Sequence, residues 1–305
     1  MRNKKAKVMN RVGVKWNVAF NILLIISALT VIIPMALLVI VSFSSTKSID
    51  TIGYTFTPLE WSLEGYSYVF KTGSQLVDSY LVTIALSVVG TVLGLVVMSL
   101  YAYVLCQRRF WLCRPLTWYL FFTMLFSGGL VPSYILNTRV YNLDDTFWIL
   151  VLPGLVGASN VIILRTFIKT TIPETLFEAA RIDGAGHFRI FFNIVLPLYK
   201  AGLGVVGLFT FVAKWNEWFT GMLYIQNPKL VPIQTMLTKL QKNVDFIKSN
   251  SEVASTPEGM ELIKSMPSDN LRMAITVLVV APIVFAYPFF QRYFVSGLTV
   301  GSIKE

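Results

Sequence analysis

Apolar residues gather along the chain in six blocks, at about 18–43, 80–105, 116–136, 147–167, 199–225 and 273–294. Each is long enough to cross a bilayer, which takes about 20 apolar residues in a helix. Inside hydrocarbon the backbone must satisfy its own N–H and C=O groups, so each block is predicted to be helical. The pattern predicts an all-α integral membrane protein with six transmembrane helices. The first block is too long for the apolar region of a signal peptide, and no small-x-small site follows it. It is read as an uncleaved span.

The polar stretches divide the rest. Residues 1–17 form a basic tail, 18–294 a six-span membrane domain, and 295–305 a second tail. Between spans, 106–115 and 137–146 are short. The stretch 44–79 contains PLEWSLEGYSYVF, which predicts a short amphipathic helix on the membrane surface. The loop 226–272 is long and polar, with KLQKNVDFIKSN predicted helical. Loops of that length are usually functional or disordered.

Composition and charge sharpen this reading. The chain of 305 residues is 55% hydrophobic and only 14% charged, against about a quarter charged in soluble domains. With the N-terminus inside, the inner stretches hold 16 basic and four acidic residues, and the outer ones nine basic and eleven acidic. That asymmetry follows the positive-inside rule and predicts both termini on the cytoplasmic side of the cell membrane. The net charge of +10 is therefore a topology signal. No soluble basic-aromatic patch supports nucleic-acid binding. Cys106 and Cys113 match no metal spacing and read as reduced packing thiols.

One inner stretch, 168–198, is charged and punctuated by glycine. Thr171-Ile172-Pro173-Glu174 reads as a capping box with proline in the first turn. A helix is predicted over about 172–183, stopped by Gly184, the residue best suited to a left-handed cap. A second helix starts near His187 and leads into the fifth span, with Pro197 bending it. Small Ala179 and Ala180 beside Glu178 permit close approach by another helix or a groove wall, and charges at the ends can orient a docked partner. The same pattern also suits an amphipathic helix lying on lipid headgroups.

The spacing Glu178-Ala179-Ala180, three residues, Gly184, nine residues, Ile194-x-Leu196-Pro197 resembles the EAA loop of ABC-importer permeases. EAARIDGA, WNEW at 215–218, LVPIQTML at 230–237 and QRYFVSGLTVGSIK at 291–304 resemble the carbohydrate-uptake, maltose-permease-like branch. The long last outer loop and the tail resemble its complex-oligosaccharide members. Ala201 departs from the second proline often found after LPL. The resemblance implies a type I ABC-importer permease fold and a coupling helix seated in a cytoplasmic ATPase, with Glu178, Ala179, Ala180, Asp183 and Gly184 at that contact. It implies two ATPase subunits that bind ATP and Mg, a second and different permease chain, an extracytoplasmic solute-binding protein, and a sugar or oligosaccharide carried by alternating access. No cofactor is expected in this chain itself.

The remaining motifs are weighed against that expectation. GxxxxGK[ST] does not occur, so ATP hydrolysis is assigned elsewhere. Gly202-x-Gly204-x-x-Gly207 lies in a span with no strand before it, and with Gly90-x-x-x-Gly94 reads as close helix packing. His187 has no identifiable catalytic partner. Lys214-Trp215-Asn216-Glu217-Trp218 sits about 16 Å inside the outer end of the fifth span, at roughly 1.5 Å per helical residue. Ionisable groups there are costly and face a cavity or each other. Lys214 and Glu217, three apart, are placed to pair on one face. Trp215, Asn216, Glu217 and Trp218 are candidates for the substrate path, since indole faces stack on pyranose rings and amides and carboxylates bond hydroxyls. Asn160 and Gly128-Gly129 are weaker candidates. A permease for a non-sugar solute, and an ATPase-independent transporter or channel, are the rival readings.

Overall fold

In the computed structural model, residues 13–67, 74–107, 110–249 and 269–301 are described. The basic tail up to 12, residues 68–73, Arg108 and Arg109, residues 250–268 and the final residues 302–305 lie outside them. The described residues are helical, with one isolated bridge between Ser44 and Trp61. The helices are α1 (Val14–Ser42), α2 (Thr46–Ile52), α3 (Ser74–Val104), α4 (Cys113–Leu125), α5 (Leu130–Ile135), α6 (Phe147–Val151), α7 (Ala158–Thr171), α8 (Glu174–Ile182), α9 (His187–Ile190), α10 (Leu196–Leu198), α11 (Lys200–Trp215), α12 (Phe219–Tyr224), α13 (Ile233–Ser249) and α14 (Asp269–Gly301).

Of the six expected spans, α1, α3 and α14 are unbroken helices long and apolar enough to cross a membrane. Of the other three, the third and fifth reach spanning length only as bent helix pairs, and the fourth, split into the short α6 and α7, does not. The third bends by 115° between α4 and the helix that starts at Leu130, because Gly129 adopts φ +85°, a conformation open to glycine at no steric cost. The fourth breaks after α6, where Gly154 has φ +68°. The fifth bends by 81° at Tyr199 and breaks again after Trp215. Hydropathy reports how far a segment runs in lipid, and a re-satisfied break inside it leaves that sum unchanged.

The chain divides into two compact units. One comprises residues 1–71 and 267–277. In it Ser45 caps α2 by accepting from Ser48 N at 3.1 Å, Tyr66 stacks on Phe43, and Tyr54 donates to Asp269 at 2.7 Å. Within the stretch predicted as a surface helix, residues 64–67 are helical and 68–70 lie outside the described residues; α2 is a further short helix earlier in the loop.

The other unit, 72–266 with 278–305, carries the candidate site. Helix α3 is its central element, packed mainly by α11 and α7. A Cβ on Gly90 would come within 3.1–3.3 Å of the Lys214 stem, one on Gly94 within 3.2 Å of Leu155 O, and one on Gly202 within 2.7 Å of the Phe167 ring. These glycines are the close helix contacts that the spacing predicts. A buried apolar cluster gathers Met98, Tyr103, Leu164, Ile168, Ile190 and Phe191. A second one gathers Leu86, Ile149, Leu150, Tyr224 and Val231. Both cysteines are free thiols. Burial pushes the Cys106 thiol up to about 11, against the opposing pull of Lys169 and Arg165.

Candidate functional site

The inner stretch folds as a short helix, a glycine turn and a second helix, with one correction. The capping box does not form. Helix α7 runs on through Thr171, Ile172 is extended and buried, and Pro173 is the N-cap of α8 without a side-chain cap. Thr171 is thus the end of one helix and not the start of the next.

The other end closes as predicted. Gly184 has φ +75°. Ala185 N donates to Ala180 O at 2.9 Å and Gly184 N to Arg181 O at 3.0 Å. These are the paired bonds of a Schellman cap, which needs a left-handed residue at this place. The chain then passes through α9 into a π-helical turn, Phe191–Val195, closed by Leu196 N on Phe191 O. Pro197 follows. It has no N–H to continue the ladder, and proline and π turns are the usual causes of sharp helix bends.

Helix α8 has two unlike faces. Phe177 and Ala180, three apart, are buried on the chain's own core. Of the five residues expected at a partner, Glu178, Ala179, Asp183 and Gly184 are exposed, whereas Ala180 faces inward. Its small side chain serves the seating of α8 itself. Two large apolar side chains stand out beside this face, Ile182 at 86% and Phe188 at 75% exposure. Sequence reasoning did not pick them. The available signal was an isoleucine and a phenylalanine flanking a glycine turn in an otherwise charged stretch.

The segment is tied to the C-terminal end of α3. Arg181 Nη2 donates to Gln107 Oε1, and Gln107 is buried. His187 Nδ1 lies 3.2 Å from Tyr103 OH, and the Tyr103 ring packs on Phe177 and Phe191. His187 is thereby a linking residue. A cavity of about 350 Å³ opens beside α8, bordered by Cys106, Lys169, Glu178 and Arg181.

The WNEW stretch falls on the break in the fifth span. Helix α11 ends at Trp215, Asn216 is its C-cap, and Trp218 is the N-cap of α12. The expected Lys214–Glu217 pair does not form, because the helix ends between them and their spacing no longer shares a face. Lys214 is 7% exposed. Its ammonium donates to Leu150 O at 2.9 Å, Val151 O at 3.0 Å and Pro153 O at 3.3 Å. These carbonyls end α6 and begin the break in the fourth span. A helix C-terminus leaves carbonyls without intrahelical donors and favours a cation. Glu217 instead accepts from Thr220 N at 2.9 Å and caps α12.

The four path candidates separate. Trp215 is 1% exposed. It donates from Nε1 to Val279 O at 3.0 Å and packs against Phe211 and Tyr80. Its ring is enclosed in the unit and borders no open surface. Asn216 is exposed, bonded through Nδ2 to Val212 O at 2.9 Å and through Oδ1 to Gln234 Nε2 at 3.0 Å. Trp218 is 39% exposed. Lys242 Nζ lies 5.2 Å from its ring centroid. Asn160 is half-buried on α7, in its first turn beside Gly157. Gly128 and Gly129 make the bend of the third span. Asp145 Oδ1 accepts from Gln226 N and Asn227 N, which ties the loop after α5 to the end of α12. The predicted helix in the last outer loop is α13.

The comparisons with known proteins agree with this architecture. Residues 109–300 match the family described as the binding-protein-dependent transport system inner membrane component. The polygalacturonan/rhamnogalacturonan transport system permease protein YtcP of Bacillus subtilis is 33% identical over 92% of this chain and 95% of its own length. Protein LplC of the same organism is 32% identical over 90% of this chain and 89% of its own. The crystal structure of a bacterial ABC transporter involved in the import of the acidic polysaccharide alginate superposes with a TM-score of 0.78. It is 28% identical and covers 94% of this chain and 99% of that one. The chain belongs to the family of binding-protein-dependent transport system inner membrane components, the non-catalytic permease subunits of ABC importers.

Proposed function

We propose that this chain is one half of the membrane pathway of an oligosaccharide importer, paired with a different permease chain of the same family. Both termini and the 168–198 segment lie on the cytoplasmic side, as the distribution of basic residues favours. The observation that carries the coupling role is the two-faced helix α8, with Phe177 and Ala180 turned inward and Ile182 beside Glu178 and Asp183 turned out. Apolar anchors ringed by charge make a docking surface. ATP and Mg bind on two ATPase subunits. Their closure pushes α8 as a rigid body, and the Arg181–Gln107 and His187–Tyr103 links pass the push to α3.

The substrate class rests on the substrates of the relatives together with the exposed Asn216 and Trp218 beside the fifth-span break. Asn216, Glu217, Trp218 and Asn160 are proposed to border the path, with Trp215 supporting them from behind. A solute-binding protein would deliver the glycan from outside. The test is purification of the complex with its partner subunits, followed by measurement of ATP hydrolysis with the loaded binding protein. Oligosaccharides should stimulate it. Stimulation by non-sugar solutes alone would overturn the substrate reading. Flux without any ATPase subunit would overturn the coupling reading.

A further inference from the structure

The fifth-span break holds a cation that the coupling machinery does not use. Lys242, on the exposed side of α13, places its ammonium 5.2 Å from the centre of the Trp218 ring and 3.5 Å from Met222 Sδ. Among the described residues its partners are a π face and a thioether, weak ones that do not neutralise the charge. The surroundings are tied together by direct contacts. Thr235 Oγ1 donates to Trp218 O at 3.0 Å. A Cβ on Gly221 would strike Thr235 and Pro232, so α12 and α13 are in direct contact there. Asn216 and Gln234 lock each other's carboxamides at 3.0 Å. Each carboxamide has two N–H donors and two acceptor lone pairs, so each keeps capacity for a ligand.

We propose that Trp218 and Lys242, flanked by Asn216 and Gln234, form a subsite for a uronic-acid residue of an acidic oligosaccharide. The indole face takes the C–H face of the pyranose. The ammonium pairs with its carboxylate, a charge-assisted bond stronger than any a neutral sugar could make there. The two carboxamides take ring hydroxyls. A neutral glycan would leave Lys242 facing a hydroxyl at best, so the cation is what selects the class. The inference rests on the carbohydrate reading above and narrows it.

The experiment uses the whole complex in proteoliposomes, with its ATPase subunits and binding protein. Uptake of an oligogalacturonate and of its carboxyl-reduced counterpart is measured for wild type, Lys242→Met, Lys242→Arg and Trp218→Ala. Lys242→Met should raise KM for the acidic glycan about tenfold, the size of one charge-assisted hydrogen bond. It should leave uptake of the neutral one unchanged, with partner subunits still co-purifying. Lys242→Arg should restore most of the loss, and Trp218→Ala should slow both glycans. Unchanged acidic uptake in Lys242→Met overturns the proposal, as does equal slowing of both glycans or loss of the partner subunits from that variant. A wild type that moves only neutral glycans overturns it too, while leaving the carbohydrate reading in place. A wild type that moves no glycan at all removes both.

Discussion

The coupling segment and the fifth-span break are both polar interruptions of an apolar chain, and they are stabilised in opposite ways. In the segment around α8 the backbone at the helix end is satisfied within a few residues, by the Gly184 cap between Ala180 and Ala185. In the break they are satisfied across the sequence, by Lys214 reaching residues more than sixty positions earlier. The first kind of order is written in local residue choice. The second exists only after two spans have packed, and it depends on Gly90 leaving room for the lysine stem.

Substitutions separate the two. The largest effect is expected from Lys214→Met, which leaves three carbonyls in the bilayer without their donor. A hydrogen bond to a charged group is worth about 1.5–3 kcal/mol, so a loss of at least that size should appear in the thermal unfolding of the purified complex. Gly90→Val should lower the same melting point by crowding the stem. The double variant should lose less than the sum of the two, because both act on one contact. Gly184→Val comes next. A left-handed β-branched residue costs roughly 1–2 kcal/mol, and the turn angle between α8 and α9 changes with it. ATP hydrolysis should then no longer follow glycan delivery, whereas Gly184→Asn, tolerant of this conformation, should stay coupled. Arg181→Ala is smaller. It should slow transport several-fold while the ATPase still co-purifies, which would assign Arg181 to passing the motion on and not to holding the partner.

The smallest effect concerns Cys106. Its raised value of about 11 means the thiol is neutral at pH 7, and the thiolate is the reactive form. In a Cys113→Ser background, alkylation of Cys106 should be slow at pH 7. It should climb about tenfold per pH unit and level only near pH 11. A plateau by pH 9 would show that the thiol is not buried as described.

This contrast also explains what could be read in advance. The spans α1, α3 and α14, the Gly184 stop, the Pro197 bend and the packing role of Gly90, Gly94 and Gly202 were all legible, because each follows from residue type and near spacing. The capping box at Thr171 failed because α7 is longer than its apolar stretch. The Lys214–Glu217 pair failed because i, i+3 spacing carries meaning only while the helix lasts, and α11 stops at Trp215. Hydropathy had no term for the breaks in the third, fourth and fifth spans. Trp215 and Trp218 look alike in the sequence, yet one is enclosed by Phe211 and Tyr80 and the other is partly open beside Lys242. Only tertiary packing tells them apart.

The reach of Lys214 also bears on the order of synthesis. Leu150, Val151 and Pro153 leave the ribosome more than sixty residues before the lysine that completes them. Until the fifth span arrives, the fourth is two half-helices with open carbonyls at their junction. Such groups are expensive in hydrocarbon, so the two spans must settle into the bilayer as a pair. A chain that ends before residue 214 leaves that junction without its cation, however apolar the segment that carries it.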